Sequence, residues 1–246
     1  MTSPLLFLLV FLIAILYSSA GFGGASGYLL AMSFFGIPPN VMSSTALVMN
    51  IFVSTISFIN YFRAGHFRPK LLIPFLVTSI PAAFLGGTFK LTQQTYTSLL
   101  YAVLTYLALR MTFLPVLSDK SDWTPRPVPL WAALTSGAVI GLLSGMIGIG
   151  GGIFLSPLII LLGWGNSKQA AASAGAFIAI NSVSGLIGRV SNGTFSFGEF
   201  GVPLLIVGLI GALIGSRLGA VKFSSANVRR ALGVILILAV GTYWFK

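Results

Sequence analysis

Gly148-Ile149-Gly150-Gly151-Gly152 interrupts one apolar run of the chain, and Gly21-Phe22-Gly23-Gly24-Ala25 interrupts another. Gly150 follows Gly23 by 127 positions, and the surroundings repeat with it. Asn50 and Asn181 are lone amides in apolar segments, 131 positions apart. Phe67 and Phe195 match at an offset of 128, while Pro74 and Pro203, like Gly86 and Gly215, match at 129. A near-constant offset over these landmarks reads as a duplicated unit, far longer than a solenoid repeat.

Working outward, composition sets the class. The chain is 56% hydrophobic and 7% charged, with a mean hydropathy of +0.99, well below the charge content of a soluble domain. Long apolar segments recur throughout, so the reading is a polytopic all-α membrane protein; the alternation of a β-barrel is missing. Fourteen basic residues against three acidic ones leave a net charge of +11. These cations sit singly or in small groups between apolar runs, as in cytoplasmic loops, which argues against nucleic acid as a partner and for a lipid bilayer. With zero Cys, disulfides, thiolate metal sites and Cys-based catalysis are excluded. Met1 to Ala20 lacks the basic start of a signal peptide and has an internal counterpart in Pro129 to Ile147, so it reads as structural.

Segment lengths give two repeats. The first covers 1–117, with a broken segment at 4–36 and helices at 40–62, 71–87 and 92–117. A polar linker follows at 118–128, and the second repeat covers 129–246, broken at 129–163, with helices at 167–190, 197–218 and 224–245. If each broken segment crosses the membrane, the basic residues divide 8 to 6 between the two faces. If each is a re-entrant hairpin, the division is 11 to 3, with only Lys90, Arg189 and Lys246 on the poor face. The second division fits the positive-inside rule. It predicts six full spans, two opposed hairpins, inverted repeats and both termini outside. The first limb, Pro4 to Ala20, is then ~25 Å long and must tilt or pass the midplane.

The breaks carry the chemistry. Backbone groups freed by glycine must be buried in protein or line a wet cavity, since lipid cannot satisfy them. Short helices at Gly27–Phe35 and Gly152–Leu162 would aim unpaired N–H donors and positive dipole ends at one centre, where an anion can come close. Candidate binding residues are therefore Gly23, Gly24, Gly150, Gly151 and Gly152, with Asn50 and Asn181 beside them. Weaker candidates are Ser18, Ser19, Ser44, Thr45 and Ser173, because single hydroxyls readily bond their own helix. The alternative for each Asn is an interhelical hydrogen bond that only positions the loops. Gly141 and Gly145, one turn apart, read as close helix packing. Small polar faces near the amides, Ser43, Ser54 and Ser57 on one helix and Ser184, Gly185 and Gly188 on the other, could line a path.

No Asp, Glu or Lys falls inside a predicted membrane core, and His66 lies in a loop between Arg63 and Arg68. Carboxylate relays, transition-metal paths and an enzymatic acid–base pair lack their residues, and no nucleotide-binding motif occurs. No catalytic residue, metal ligand or cofactor is expected. A neutral, donor-rich centre suits a small anion; a transporter of another solute or of a metal cation is the alternative.

Gly148-Ile149-Gly150-Gly151-Gly152 with Pro157, the Ala/Ser-rich approach to Asn181, and Gly211-Ala212-Leu213-Ile214-Gly215 resemble the sulfite exporter TauE/SafE family, which includes proteins like the toluene sulfonate uptake permeases. The resemblance spans nearly the whole chain; Ala25 departs from it where the second half has Gly152. It implies a bacterial inner-membrane transporter of small sulfur-containing anions, such as sulfite or an organosulfonate like sulfoacetate. Sulfur comes from the resemblance alone.

Overall fold

The computed structural model describes residues 4–113 and 125–221, together with 237, 240 and 241. Among these, every regular element is helical: α1 Pro4–Ser19, α2 Ala25–Phe34, α3 Pro39–Arg63, α4 Pro69–Thr88, α5 Gln93–Phe113, α6 Leu130–Ile147, α7 Gly152–Leu161, α8 Ser167–Ser191 and α9 Gly201–Val221. The expected helix at 224–245 and most of the linker lie outside the described residues, as do Lys120, Lys222, Arg229, Arg230 and Lys246 of the charge count.

Among the described residues, five helices are long and apolar enough to cross a membrane: α3, α4, α6, α8 and residues 201–218 of α9. The chain is thus a multi-pass membrane protein. Large apolar side chains cover its outside, among them Val77, Val139, Ile187 and Ile206, as a lipid-facing surface requires. In contrast, α2 and α7 have 10 residues each; ~15 Å is about half the hydrocarbon thickness.

Local signals place the helix ends. Proline at the first turn starts α3 and α4, where its missing N–H costs nothing. A capping box of Asn166 and Gln169 starts α8. Two of the boundaries that differ from the sequence reading have a visible cause. α2 begins at Ala25 rather than Gly27, and Gly27 is a packing residue: an added methyl would lie 2.5 Å from Ile13 Cγ2. α9 begins at Gly201 rather than residue 197, because Gly198 turns the chain with φ +64° before the helix can start.

The helices pair in a pattern with an internal match. α4 packs on α6 and α1 on α9; α4 also meets α8 as α3 meets α9; α7 lies on α8 as α2 lies on α3. α3 and α8 cross at the centre. Exchanging α1–α4 with α6–α9 leaves these pairings unchanged. The match reaches single atoms: a methyl on Gly86 would overlap Leu142 O, and one on Gly215 would overlap Ile15 O. Gly141 and Gly145 press on Ser79 and Ala83 of α4, the close packing expected of them. Gly188 meets the Phe84 carbonyl in the same way, and Ser184 Oγ donates to Ile80 O at 2.6 Å. That face of α8 is therefore a seam with α4 rather than a path.

Three contacts relate the helix ends to one another. The Arg126 N–H, ahead of α6, donates to Gly163 O, after α7, at 2.9 Å. Lys168 Nζ, at the start of α8, lies 5.7 Å from the ring centroid of Tyr61, at the end of α3. Lys90, after α4, and Arg189, near the end of α8, line one pocket.

Candidate functional site

Both breaks are made by glycines in the left-handed region. Gly21 (φ +83°) and Gly148 (φ +92°) end α1 and α6, and Gly24 (φ +91°) and Gly151 (φ +79°) cap α2 and α7. An L-residue with a side chain pays about 1–2 kcal/mol for this conformation, so glycine is what permits the break. At the first, Phe22 N donates to Tyr17 O at 2.9 Å and Gly21 N to Ser18 O at 3.1 Å. This is a Schellman closure of α1. At the second, Gly148 N donates to Ser144 O at 2.8 Å, the simpler single-bond closure.

The N-termini that follow are different from an ordinary helix start. Gly24 and Gly151 offer no side-chain acceptor to the first-turn N–H groups, whereas Asn166 does so for α8. The donors and the positive dipole end of α2 and α7 are thus without a side-chain cap.

Asn50 joins the two breaks. A methyl built on Gly23 would lie 2.6 Å from Asn50 Oδ1, and one on Gly150 would lie 2.8 Å from Asn50 Nδ2. Ile178 Cγ2 stands by the same two positions, at 3.1 and 2.6 Å, and Ser182 Oγ is 3.0 Å from the second. Asn50 is fully buried, and neither amide atom has a hydrogen-bond partner. An unpaired buried polar group costs about 1–3 kcal/mol, so this amide is suited to a polar guest or to water. Ser18, Ser144, Ser173 and Ser182 also keep buried hydroxyls without partners.

The other candidates divide. Gly151 is walled by Ile140 Cγ2 and Phe177 Cε1, each 2.8 Å from an added methyl, and Gly152 by Ala174 O at 2.5 Å. Asn181 is buried, but its Nδ2 donates to Phe177 O of its own helix at 2.9 Å, leaving only Oδ1 unpaired. Ser19 Oγ bonds Leu16 O at 2.7 Å. Ser44 accepts from Ser196 N at 3.3 Å, and Thr45 Oγ1 donates to Phe197 O at 3.2 Å, so both anchor the loop before α9. Ser54 donates to Asn50 O, and Ser57 to Ser18 O at 3.3 Å. His66 lies in the α3–α4 loop, where partial burial first and Lys168 second hold its imidazole below the ordinary value.

Sequence reasoning missed Arg189 as a buried residue and Ser182 and Ile178 as walls. Arg189 is 4% exposed and lies inside α8, not in a loop. The signal was available: Asn181, Gly185 and Arg189 follow at steps of four and share one helix face.

A multi-pass helical membrane protein with paired glycine breaks around a buried amide is the class that fold and site define. The sulfite exporter TauE/SafE family matches residues 6–243, and the chain belongs to that family. Similar proteins carry the name "probable membrane transporter protein". One from Sinorhizobium fredii is 36% identical over 233 residues, 93% of each chain. One from Methanocaldococcus jannaschii is 27% identical, covering 95% of this chain and 92% of its own. One from Bacillus subtilis is 27% identical over 90% of both. No solved structure matches the chain.

Proposed function

We propose that this protein is a secondary transporter of small anions, held by backbone N–H donors at two opposed glycine breaks near the membrane midplane. The observation that carries this reading is Asn50, buried with both amide atoms unpaired and set against Gly23 and Gly150. Around it stand uncapped helix starts, hydroxyls and glycine, a donor set matched to an oxyanion. The chain's three acidic residues, Asp119, Asp122 and Glu199, all fall in linker or loop sequence. Sulfur-containing anions, sulfite or an organosulfonate such as sulfoacetate, are the substrate class that the family name favours.

The proposed architecture is two inverted repeats, 1–117 and 129–246, each a re-entrant hairpin plus three spanning helices, in a bacterial inner membrane with both termini periplasmic. Three contacts support it. The Arg126–Gly163 bond joins the two ends of the second hairpin. Lys168 beside the Tyr61 ring, and Lys90 and Arg189 lining one pocket, are pairs that a straight crossing would put on opposite faces. The exchange-invariant helix pairing speaks for the duplication.

The test is flux of sulfite and sulfonates into proteoliposomes holding the purified protein. Saturable, protein-dependent uptake is expected. Clear cation transport with no flux for any of a broad anion panel would reject the proposal.

A further inference from the structure

The C-terminal end of α6 carries an arrangement of charge that the central site does not use. Arg189 Nη2 donates to Gly145 O at 3.1 Å and to Met146 O at 2.8 Å. These carbonyls form the negative end of the α6 dipole, and the guanidinium offsets it. Arg189 Nε is buried and has no partner. Arg189 also lines a pocket of 240 Å³ with Lys90, Asn40, Ser43, Tyr96 and Thr194. The pocket adjoins the second break. Tyr96 Oη donates to Ile147 O at 2.9 Å, and a methyl on Gly148 would lie 2.7 Å from Ser43 O. Two cations, hydroxyls and an amide line it, without a carboxylate. Such a concavity raises the local concentration of an anion.

We infer that this pocket is an anion vestibule, where a small oxyanion docks on Lys90 and Arg189 next to the glycine break. The inference rests on the anion-transport reading above and adds a second, side-chain-based subsite to it. The vestibule is one-sided: at the offset that relates Asn50 to Asn181, the position matching Arg189 is Phe58. On the hairpin topology proposed above it opens on the face poor in basic residues, which separates its two cations from those that set membrane orientation.

A charge-exchange experiment tests it. The chain has no cysteine and Lys90 is exposed, so Lys90→Cys provides a single accessible thiol without disturbing the core. Alkylation with 2-bromoethylamine restores a cationic side chain, and iodoacetate installs a carboxylate. Both products are thioethers, which sulfite does not cleave. In sulfite uptake by proteoliposomes, KM should rise about threefold in Lys90→Cys, return close to wild type after aminoethylation, and rise about tenfold after carboxymethylation. The maximal rate should change by less than about twofold, since a docking charge acts on encounter rather than on the central step. Equal KM in all three forms, with wild-type sulfite flux intact, overturns the vestibule and leaves the anion reading standing. Wild-type protein that moves none of sulfite, sulfate or sulfoacetate overturns both. Arg189→Gln, compared with Arg189→Lys, gives a second readout: KM should rise more in the Gln variant, and identical KM values would also count against the vestibule.

Discussion

The two breaks share a backbone and differ in side chains. Gly21 and Gly24 in the first correspond to Gly148 and Gly151 in the second, all four with positive φ. Beyond that pair the match ends. Gly150 also has positive φ (+79°), whereas Gly23 does not. Ala25 fills the place of Gly152, where a methyl would lie 2.5 Å from both Ala174 O and Ile178 Cγ1. Asn50 stands by glycines of both breaks, whereas Asn181 spends its donor on Phe177 O. The two helix breaks are thus similar in backbone, and one amide, from α3, stands by both. The second break is the tighter one.

The largest test of that contrast is at the tight positions. Gly151→Leu and Gly152→Ala should each lower sulfite flux by about 100-fold or more, because left-handed strain at Gly151 and overlap with α8 at both positions displace the start of α7. Ala25→Gly should stay within about twofold, and size-exclusion profiles would verify that the variants remain folded. Comparable losses at positions 25 and 152 would erase the asymmetry. Next in size, Asn50→Ala should reduce flux about 30-fold and Asn181→Ala only about threefold, as expected when one variant removes hydrogen bonds to a charged guest and the other a bond within a helix. The reverse order, read in the same uptake assay, would move the site to α8. Ser182→Ala should cost about twofold, since one neutral hydroxyl contributes least.

Much of this was legible in the sequence. Four glycines in five residues, Gly148 to Gly152, and three in four, Gly21 to Gly24, weigh heavily against a helix interior, so the breaks were readable from the sequence. So was the family resemblance, and the packing role of Gly141 and Gly145. The contribution of each polar residue was not. Asn50 and Asn181 look equivalent on a helical wheel, and only the three-dimensional crossing of α3 and α8 decides which one faces the glycines. Ser44 and Thr45 are tied to the loop before α9, a contact spanning about 150 residues that no local pattern encodes. Charge counting treats every arginine as a loop residue, which is why Arg189, held inside by the end of α6, escaped it.

The smallest effect is expected outside both breaks. His66 sits in the α3–α4 loop with its pKa held down by partial burial and then by Lys168. A folded-state pKa below the ordinary value keeps the imidazole neutral at and above neutral pH, and it gains a proton only on acidification. His66→Ala should therefore leave flux within about twofold and its pH profile unchanged above neutrality. A loss of pH dependence in that range would bring His66 into the mechanism.

The central claim is that one anion sits between the two glycine breaks, against Asn50. Selenite has the shape and charge of sulfite and scatters anomalously. An anomalous difference map of crystals soaked in selenite should place selenium beside Gly23, Gly24, Gly150 and Gly151, with an oxygen within hydrogen-bond reach of Asn50 Nδ2, and the peak should vanish in Asn50→Ala. Selenium bound elsewhere in the membrane region, with the Asn50 site empty at saturating selenite, would contradict it.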